Sequence, residues 1–294
     1  MHNGVPQFDE VVDEITELTG LERKVVARKV WSDALNQTGN VCAAAKDFGL
    51  QPHIYSEEME RFYRETDGFI FETMIECCRD GKRAVLADAE ARIRNFLDAR
   101  KLSRAKVLMF GDGTGSDTCY FHSAFGDAIE LSSFDVPGSK TFDFAARRFA
   151  KHAVPVEVIT DYATIRESAF DIVVSFEVLE HLVDPQQAID DIARFLKPNG
   201  IALITESFEA VLPRYPTHLW SNAQYAKRTP LMFAKAGLIL TYLNTAFMMK
   251  FRPTEYTKKV PLTPRDRLGV LMNRNVYRPL LKHIVVRRIL NLIG

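Results

Sequence analysis

The feature that most constrains the fold of this chain is an apolar run followed by three alternating glycines. The run covers 107–110, and Gly111, Gly113 and Gly115 follow it before a segment that is typical of a helix from Ser116 onward. Glycines permit positive φ angles and a close approach of backbone to ligand, and the N–H groups at a helix start attract anions. The pattern predicts a buried parallel strand, a nucleotide-type turn and a helix. Such turns also occur for packing alone.

A second apolar segment, 128–134, has an acidic residue at its carboxyl end. This residue is Asp135, which follows the glycine turn by about twenty residues. An acid in that place can accept hydrogen bonds from both hydroxyls of a ribose. The dinucleotide fingerprint spaces its glycines as Gly-x-Gly-x-x-Gly, whereas the glycines here alternate, so the spacing favours a ligand other than NAD.

Further apolar segments continue the alternation of strands and helices. Asp161 follows the apolar run 154–160, and 170–175 is a continuous apolar run typical of a strand buried on both faces. The segment 196–200 predicts a helix stop and a turn before another strand at 201–205. The order of these segments indicates an α/β fold.

Taken in order, the glycine turn, Asp135, Asp161, the segment 170–181 and the turn at 196–200 resemble the motifs of class I S-adenosylmethionine-dependent methyltransferases. The resemblance extends from roughly 106 to 251. It implies a Rossmann-like, doubly wound sheet of seven strands with the last strand antiparallel. It also implies a methyltransferase that uses S-adenosyl-L-methionine as its cofactor.

The same resemblance implies which residues hold the cofactor. The glycine turn would lie under the methionine and ribose, Asp135 would bind the ribose, and Asp161 with Tyr162 would lie at the adenine. The residues expected to bind the cofactor are Gly111, Asp112, Gly113, Gly115, Asp135, Val136, Asp161, Tyr162, Phe176 and Glu177.

One position departs from the family pattern, which usually has an acidic residue two positions before the first glycine. Met109 stands there in this chain. Asp112, inside the turn, either supplies the missing charge or caps the helix that follows. The departure keeps open a second class of protein, a cofactor-binding scaffold or regulatory subunit that transfers no methyl group.

The segment 206–222 is expected to form the acceptor pocket, because ligands of open α/β sheets bind beyond the carboxyl ends of the strands. Its polar and aromatic residues include Arg214, Tyr215 and His218. Methylation of a hydroxyl needs a base, and His218 is the candidate, with Tyr215 and Arg214 as orienting groups. We therefore expect O-methylation of a small molecule such as a sugar, a glycan precursor or a secondary metabolite.

A Glu-x-x-Glu-His pattern follows the fourth predicted strand. Its residues are Glu177, Glu180 and His181. The pattern resembles the metal-binding triplet of certain quinone and small-RNA methyltransferases, in which His218 could supply a fourth ligand. It is also common in family members that bind no metal. We expect no metal here, and a metal-dependent O-methyltransferase is the alternative.

Three regions follow from composition and patterning. Residues 1–103 are expected to form a helical accessory or lid region, 104–251 the cofactor-binding domain, and 252–294 a basic tail with a helix near 278–293. With 294 residues and 47% hydrophobic content, the chain can bury one sizeable core and a smaller unit. The helical region could equally serve as a packing cap or as the surface of a homodimer.

Charge and apolar run lengths bear on partners and location. The 38 basic and 38 acidic residues balance to a formal net charge of zero. The segment 39–50 resembles a helix-turn-helix, but the helix after it begins Ser-Glu-Glu-Met-Glu, and acid there repels DNA, so we expect no nucleic-acid partner. The absence of a long apolar run and of paired cysteine motifs predicts a cytoplasmic protein without a membrane span. The basic tail suits peripheral contact with a membrane, or packing on the acidic N-terminal helices.

Overall fold

The computed structural model describes residues 7–226, 228–242 and 253–259. The accessory region contains the helices α1 (Phe8–Thr19), α2 (Arg23–Asn36), α3 (Gly39–Asp47), α4 (Glu57–Glu65), α5 (Gly68–Glu76) and α6 (Asp80–Arg100). The remainder contains β1 (Ala105–Phe110), α7 (Ser116–Phe125), β2 (Ile129–Phe134), α8 (Lys140–Lys151), β3 (Val156–Ile159), β4 (Phe170–Phe176), α9 (Pro185–Phe195), β5 (Leu196–Thr205), α10 (Thr229–Lys235), β6 (Leu238–Tyr242) and β7 (Thr254–Lys258).

The seven strands form one sheet in the order β3-β2-β1-β4-β5-β7-β6. Pairings from β3 through β5 are parallel, whereas β7 is antiparallel to both of its neighbours. The expected Rossmann-like sheet with an antiparallel last strand is therefore confirmed. Strand order reverses between β1 and β4, and a crevice opens at the carboxyl ends of strands at such a point.

Helices cover both faces of the sheet. Alternate residues of the central strands point to opposite faces, and the apolar residues on each face are buried beneath those helices. In β4, Ile172 and Val174 belong to one apolar cluster and Val173 to the other. Each of these side chains is essentially inaccessible to solvent. The continuous apolar run in the sequence thus reflects burial on both faces, as expected for a central parallel strand.

The accessory helices pack against the sheet domain through an apolar cluster of their own. Phe71 and Met74 of α5 lie in this cluster with Phe144 of α8. The segment between Ser56 and residue 101 contains the three helices α4, α5 and α6. Ser56 accepts a hydrogen bond from the N–H of Met59 and so caps α4. At Gly68, where α5 begins, a Cβ would lie 3.2 Å from the Cα of Val41, so glycine permits the close approach of α3.

The segment 196–200 differs from its prediction. Helix α9 does end at Phe195, but the next residues open β5 instead of forming a separate turn. Leu196 pairs with Phe170, and the register shifts before Ile172 meets Ile201. Asn199 takes up the irregularity with a φ of 64°. The Pro-Asn-Gly sequence, which is typical of turns, thus forms a bulge inside the strand.

Strand β7 lies beyond residue 251, so the sheet extends past the boundary expected for the domain. Apart from β7 and the residues beside it, the basic tail predicted for 252–294 lies outside the described residues, as does the helix predicted near 278–293. Across the described ranges, no helix combines the length and apolar character that crossing a membrane requires. Cys42, Cys77, Cys78 and Cys119 are free thiols.

Candidate active site

A cavity of about 680 Å³ opens at the carboxyl ends of the central strands. This volume falls in the range of small-molecule and cofactor sites. One part of its wall is the glycine turn with Asp135 and Glu177, and another is the loop that contains Tyr215 and His218. The accessory helices complete the wall with residues such as Tyr63 and Glu72. Most of the positions expected for the cofactor therefore share one cavity with the loop expected at the acceptor.

The glycine turn packs closely against its neighbours and also borders the cavity. Gly111 and Gly115 adopt φ values of 81° and 74°. A Cβ at Gly111 would lie 2.5 Å from Val178 Cγ2, and one at Gly115 would lie 2.4 Å from Phe149 Cε1, so both glycines are required by packing. Gly113 lines the cavity, and a Cβ added there would have its nearest neighbouring atoms 3.7 Å away. Its open face leaves room for a ligand against the backbone.

Asp135 is held against the glycine turn at the end of β2. Its Oδ2 accepts a hydrogen bond of 2.6 Å from the N–H of Gly113, and its Oδ1 accepts one of 2.6 Å from the N–H of Val136. Burial raises the pKa of Asp135, and the two N–H donors oppose that rise. Each carboxylate oxygen has a second lone pair and the residue lines the cavity, so it can still accept hydrogen bonds from two ligand hydroxyls.

Asp112 acts as the cap of α7. Its Oδ1 accepts from the N–H of Asp117 at 3.0 Å, and its Oδ2 accepts from the N–H of Thr118 at 2.8 Å and from the Thr118 hydroxyl at 2.5 Å. Burial, followed by repulsion from Asp117, raises the pKa of Asp112 to about 7. Of the two roles considered for this residue, helix capping is the one seen in the structure.

Two buried glutamates follow β4. Glu177 adopts a φ of 55°, and its Oε1 has no hydrogen-bond partner among the described residues. Glu180 accepts a hydrogen bond of 2.6 Å from the Ser207 hydroxyl at one oxygen, while its Oε2 is buried without a partner. Burial and the other carboxylate raise the pKa of Glu177 to about 8, and burial raises that of Glu180 to about 7. Both carboxyls can therefore exchange a proton near neutral pH.

His218 is buried beside His181 and Tyr215. Tyr215 stacks on it with ring centroids 4.7 Å apart, and the Tyr215 hydroxyl donates to Gln37 Oε1 at 3.1 Å. His218 Nδ1 has no hydrogen-bond partner among the described residues, while His181 Nδ1 lies 3.0 Å from the Tyr63 hydroxyl. Burial lowers the pKa of His218 to about 2 and that of His181 to about 4. Both imidazoles are neutral at physiological pH.

Three side chains of this group have the arrangement of a metal site. Glu180, His181 and His218 each offer one ligand atom, and these atoms lie within 4.8 Å of one another. Neutral imidazole and carboxylate are common ligands of divalent metals. The unpartnered Glu180 Oε2 and His218 Nδ1 are the kind of atoms that a cation would satisfy. The residues present fit a divalent cation, although the sequence led us to expect none.

The accessory region fixes the loop that contains His218. His53 Nδ1 lies 2.9 Å from the His218 carbonyl, and the N–H of His53 donates to the Pro216 carbonyl at 2.8 Å. The N–H of Leu219 donates to the Glu180 carbonyl at 3.2 Å. Arg214 lines the cavity, with its guanidinium 4.9 Å from the Tyr215 ring centroid. The loop is thus tied both to the accessory helices and to the segment that follows β4.

Most of the residues expected to bind the cofactor line the cavity, including Val136 and Phe176. Gly115, Asp161 and Tyr162 do not line it. Tyr162 donates a hydrogen bond of 2.6 Å to Asp191 Oδ2, and Asp161 accepts one of 2.9 Å from the N–H of Ala163. An adenine contact by Asp161 and Tyr162 remains a prediction that these hydrogen bonds do not favour.

Several cavity residues were not predicted from the sequence. Tyr63, Glu72, Lys82 and Asp117 line the wall. Burial, followed by repulsion from Asp33, raises the pKa of Glu72 to about 8. A weak signal exists only for Asp117, which stands in the first turn after the glycine turn. Tyr63, Glu72 and Lys82 lie on accessory helices, and only tertiary packing brings them to the cavity.

A known family model matches the part of the chain that contains the glycine turn. Residues 108–204 match the family model described as a methyltransferase domain. The resemblance to class I S-adenosylmethionine-dependent methyltransferases is thereby confirmed over these residues. No curated protein matches the sequence.

Solved structures share the fold at low sequence identity. The CurJ carbon methyltransferase is 14% identical with a TM-score of 0.53, and the match covers 87% of this chain and 82% of that one. A SAM-dependent methyltransferase from Aquifex aeolicus is 17% identical with a TM-score of 0.44, over 61% of this chain and 97% of the other. At such identities, the likeness to CurJ shows the fold alone.

Proposed function

We propose that this protein transfers a methyl group from S-adenosyl-L-methionine to an oxygen of a small molecule. The observation that most supports this proposal is that the glycine turn and Asp135 line the same cavity as the loop with Tyr215 and His218. The open face of Gly113 and the free lone pairs of Asp135 fit a ribose. A sugar, a glycan precursor or a secondary metabolite is the kind of acceptor proposed.

Methyl transfer makes modest demands on the protein. When bound, the cofactor supplies the methyl group on a positively charged sulfur, which takes the electron pair of the breaking carbon–sulfur bond. The cavity must hold the acceptor oxygen in line with that bond, and proximity supplies much of the rate. The accessory helices would exclude water from the reacting atoms.

The hydroxyl proton of the acceptor must leave as the new oxygen–carbon bond forms. His218 is the base expected from the sequence, but a pKa lowered to about 2 makes it a weak proton acceptor. A base works best when its pKa lies near the working pH. Glu177, with a pKa of about 8 and an unpartnered Oε1 in the cavity wall, matches that requirement better. We propose that Glu177 takes the proton and that His218 and Tyr215 position the acceptor.

Calorimetric titration of the full chain with S-adenosylmethionine and S-adenosylhomocysteine tests the proposal. Micromolar binding of both ligands is expected. Mixtures of S-adenosylmethionine with hydroxylated acceptors should then form S-adenosylhomocysteine. Binding of both cofactor forms without turnover on a broad acceptor panel would favour the alternative, a scaffold or regulatory subunit. Failure to bind either form would overturn the proposal.

A metal-dependent O-methyltransferase is a second candidate, favoured by the cluster of Glu180, His181 and His218. A divalent cation held there would polarise the acceptor hydroxyl and ease loss of its proton. In this case the low pKa of His218 is an advantage, because a ligand imidazole must be neutral.

Titration with manganese and zinc chlorides, followed by calorimetry and by manganese EPR, decides between the two candidates. His218→Ala should abolish binding, whereas His122→Ala, a control on α7 away from the cluster, should leave it unchanged. Equal binding by both variants would remove the metal-dependent candidate.

A further inference from the structure

Lys82 and Asp117 form an ion pair in the cavity wall that the mechanism above does not use. Lys82 Nζ lies 2.6 Å from Asp117 Oδ2, and the side chains are 18% and 7% exposed. Lys82 comes from α6 of the accessory region, whereas Asp117 lies in the first turn of α7, directly after the glycine turn. Both line the same cavity as Asp112 and Gly113. Burying an ion pair costs desolvation free energy, which is offset only if the remaining hydrogen-bond donors and acceptors of the pair also find partners.

Each partner has hydrogen-bonding capacity that the ion pair does not use. Asp117 Oδ1 is buried and has no hydrogen-bond partner among the described residues. The Lys82 ammonium has three donors, of which Asp117 accepts one, and it lies 5.1 Å from the centroid of the Phe176 ring. Burial opposes the charge of Lys82, but Asp117 outweighs it and raises the pKa, so the lysine remains charged. The cavity therefore presents one anionic acceptor beside one cationic donor.

We propose that this pair binds the amino-acid end of the cofactor, an assignment that rests on the function proposed above. Asp117 Oδ1 accepts a hydrogen bond from the ligand ammonium, and Lys82 donates one to the ligand carboxylate. An α-amino acid carries both charges on adjacent groups, so a side-by-side pair of opposite charges complements it. Asp112 is already occupied with capping α7, which leaves Asp117 as the free acid beside the turn.

The assignment also accounts for Met109. Its side chain is 1% exposed and belongs to the apolar cluster beneath the sheet, so it makes no polar contact with a ligand. The acid usual at that position is replaced in this account by Asp117, eight residues further along the chain. Because Lys82 lies on α6, the accessory region becomes a direct part of the cofactor site.

Binding of two nucleosides can be compared to distinguish this subsite from the rest of the cavity. S-adenosylhomocysteine carries the amino-acid end, whereas 5′-methylthioadenosine shares the adenosine and sulfur but lacks it. Calorimetry should show that Asp117→Asn and Lys82→Met each raise the Kd for S-adenosylhomocysteine by about tenfold or more, which corresponds to about 1.4 kcal/mol. The Kd for 5′-methylthioadenosine should stay within about twofold of wild type.

Asp171→Asn is the matched control. Asp171 accepts from Lys197 Nζ at 2.7 Å with a side chain that is 16% exposed, but neither residue lines the cavity. This variant should leave the Kd of both nucleosides unchanged. Thermal unfolding of every variant shows whether it is folded at the titration temperature.

Lys82→Met/Asp117→Asn removes both charges together and so avoids leaving one of them buried and unpaired. It should bind 5′-methylthioadenosine normally and S-adenosylhomocysteine weakly. Unchanged S-adenosylhomocysteine binding in the single and double variants, or an equal loss for both nucleosides, would overturn the assignment. If the wild-type chain bound neither nucleoside, the proposed function itself would fail, which is a distinguishable result.

Discussion

The ring of His218 packs edge-on against the ring of His181, with centroids 4.7 Å apart and planes at 87°. Burial lowers the pKa of both histidines, and the neighbouring His181 further lowers that of His218. Two neutral imidazoles with lowered pKa values can bind a cation or donate a hydrogen bond, but they are weak proton acceptors. The histidine expected to be the base is therefore better placed as a positioning group or ligand.

His218→Ala should leave the Kd for S-adenosylhomocysteine unchanged, because the residue lies on the acceptor loop rather than at the glycine turn. Methyl transfer to an identified acceptor should fall by about 10²-fold, since the acceptor loses a positioning contact. Steady-state kinetics beside calorimetry measures both quantities. Unchanged turnover would show that His218 has no part in the reaction.

Asp135→Ala should abolish measurable S-adenosylhomocysteine binding while the protein stays folded, because the two ribose acceptors are lost. Asp161→Ala is the informative comparison, since Asp161 does not line the cavity. Its Kd should stay near that of wild type in the same calorimetric titration. Equal loss in both variants would instead support the adenine contact expected from the sequence.

Glu177 should make the stability of the metal-free protein depend on pH. Its folded pKa of about 8 lies above the unfolded value near 4.5, so the folded state favours the protonated carboxyl. This contribution is present in full below pH 4.5 and is lost as the pH rises through 8. Glu177→Gln, which cannot ionise, should therefore gain stability relative to wild type between pH 6 and pH 9. Urea unfolding at several pH values measures the difference, and a constant difference would show that Glu177 does not titrate in this window.

Gly115→Ala should destabilise the protein more than Gly20→Ala. Both glycines lie in the left-handed α region, with φ values of 74° and 72°, so each substitution costs about 1 kcal/mol of backbone strain. At Gly115 the new Cβ would also meet the Phe149 ring, whereas at Gly20 it meets nothing within 4 Å. The clash should add about 1–3 kcal/mol to the loss in free energy of unfolding, measured with urea. Equal losses would show that the ring gives way freely.

Glu14→Gln should be far more damaging than Glu17→Gln, one turn along the same helix. Glu14 of α1 accepts from Arg148 Nε at 3.0 Å, and Arg148 Nη1 donates to the Ser116 hydroxyl at 2.5 Å. Loss of the acid leaves Arg148 buried without its counter-charge, at a cost of about 3–5 kcal/mol.

Glu17 pairs with Lys151 at a side-chain exposure of 64%, where such pairs contribute about 0–1 kcal/mol. Chemical denaturation of the two variants measures the contrast. Similar losses would mean that Arg148 finds another partner in the absence of Glu14.

Local patterns in the sequence were sufficient for the order of the parallel strands β1 to β5 and for the glycine turn with Asp135. The glycine turn and Asp135 follow directly from strands whose apolar runs are unbroken, so their place at the carboxyl edge could be predicted. The pairing of Lys82 with Asp117, and of Tyr63 with His181, could not. Each joins an accessory helix to the methyltransferase domain, and helix-forming patterns alone do not say which face meets the cavity.

A crystal structure of the full chain with S-adenosylhomocysteine would show how the cavity holds the cofactor. We expect ribose hydroxyls within hydrogen-bond distance of both Asp135 oxygens. We also expect the ligand sulfur to face the loop with Tyr215 and His218, and the amino-acid end to lie against Lys82 and Asp117. A ligand bound outside this cavity, or bound with its ribose away from Asp135, would contradict the proposed cofactor site.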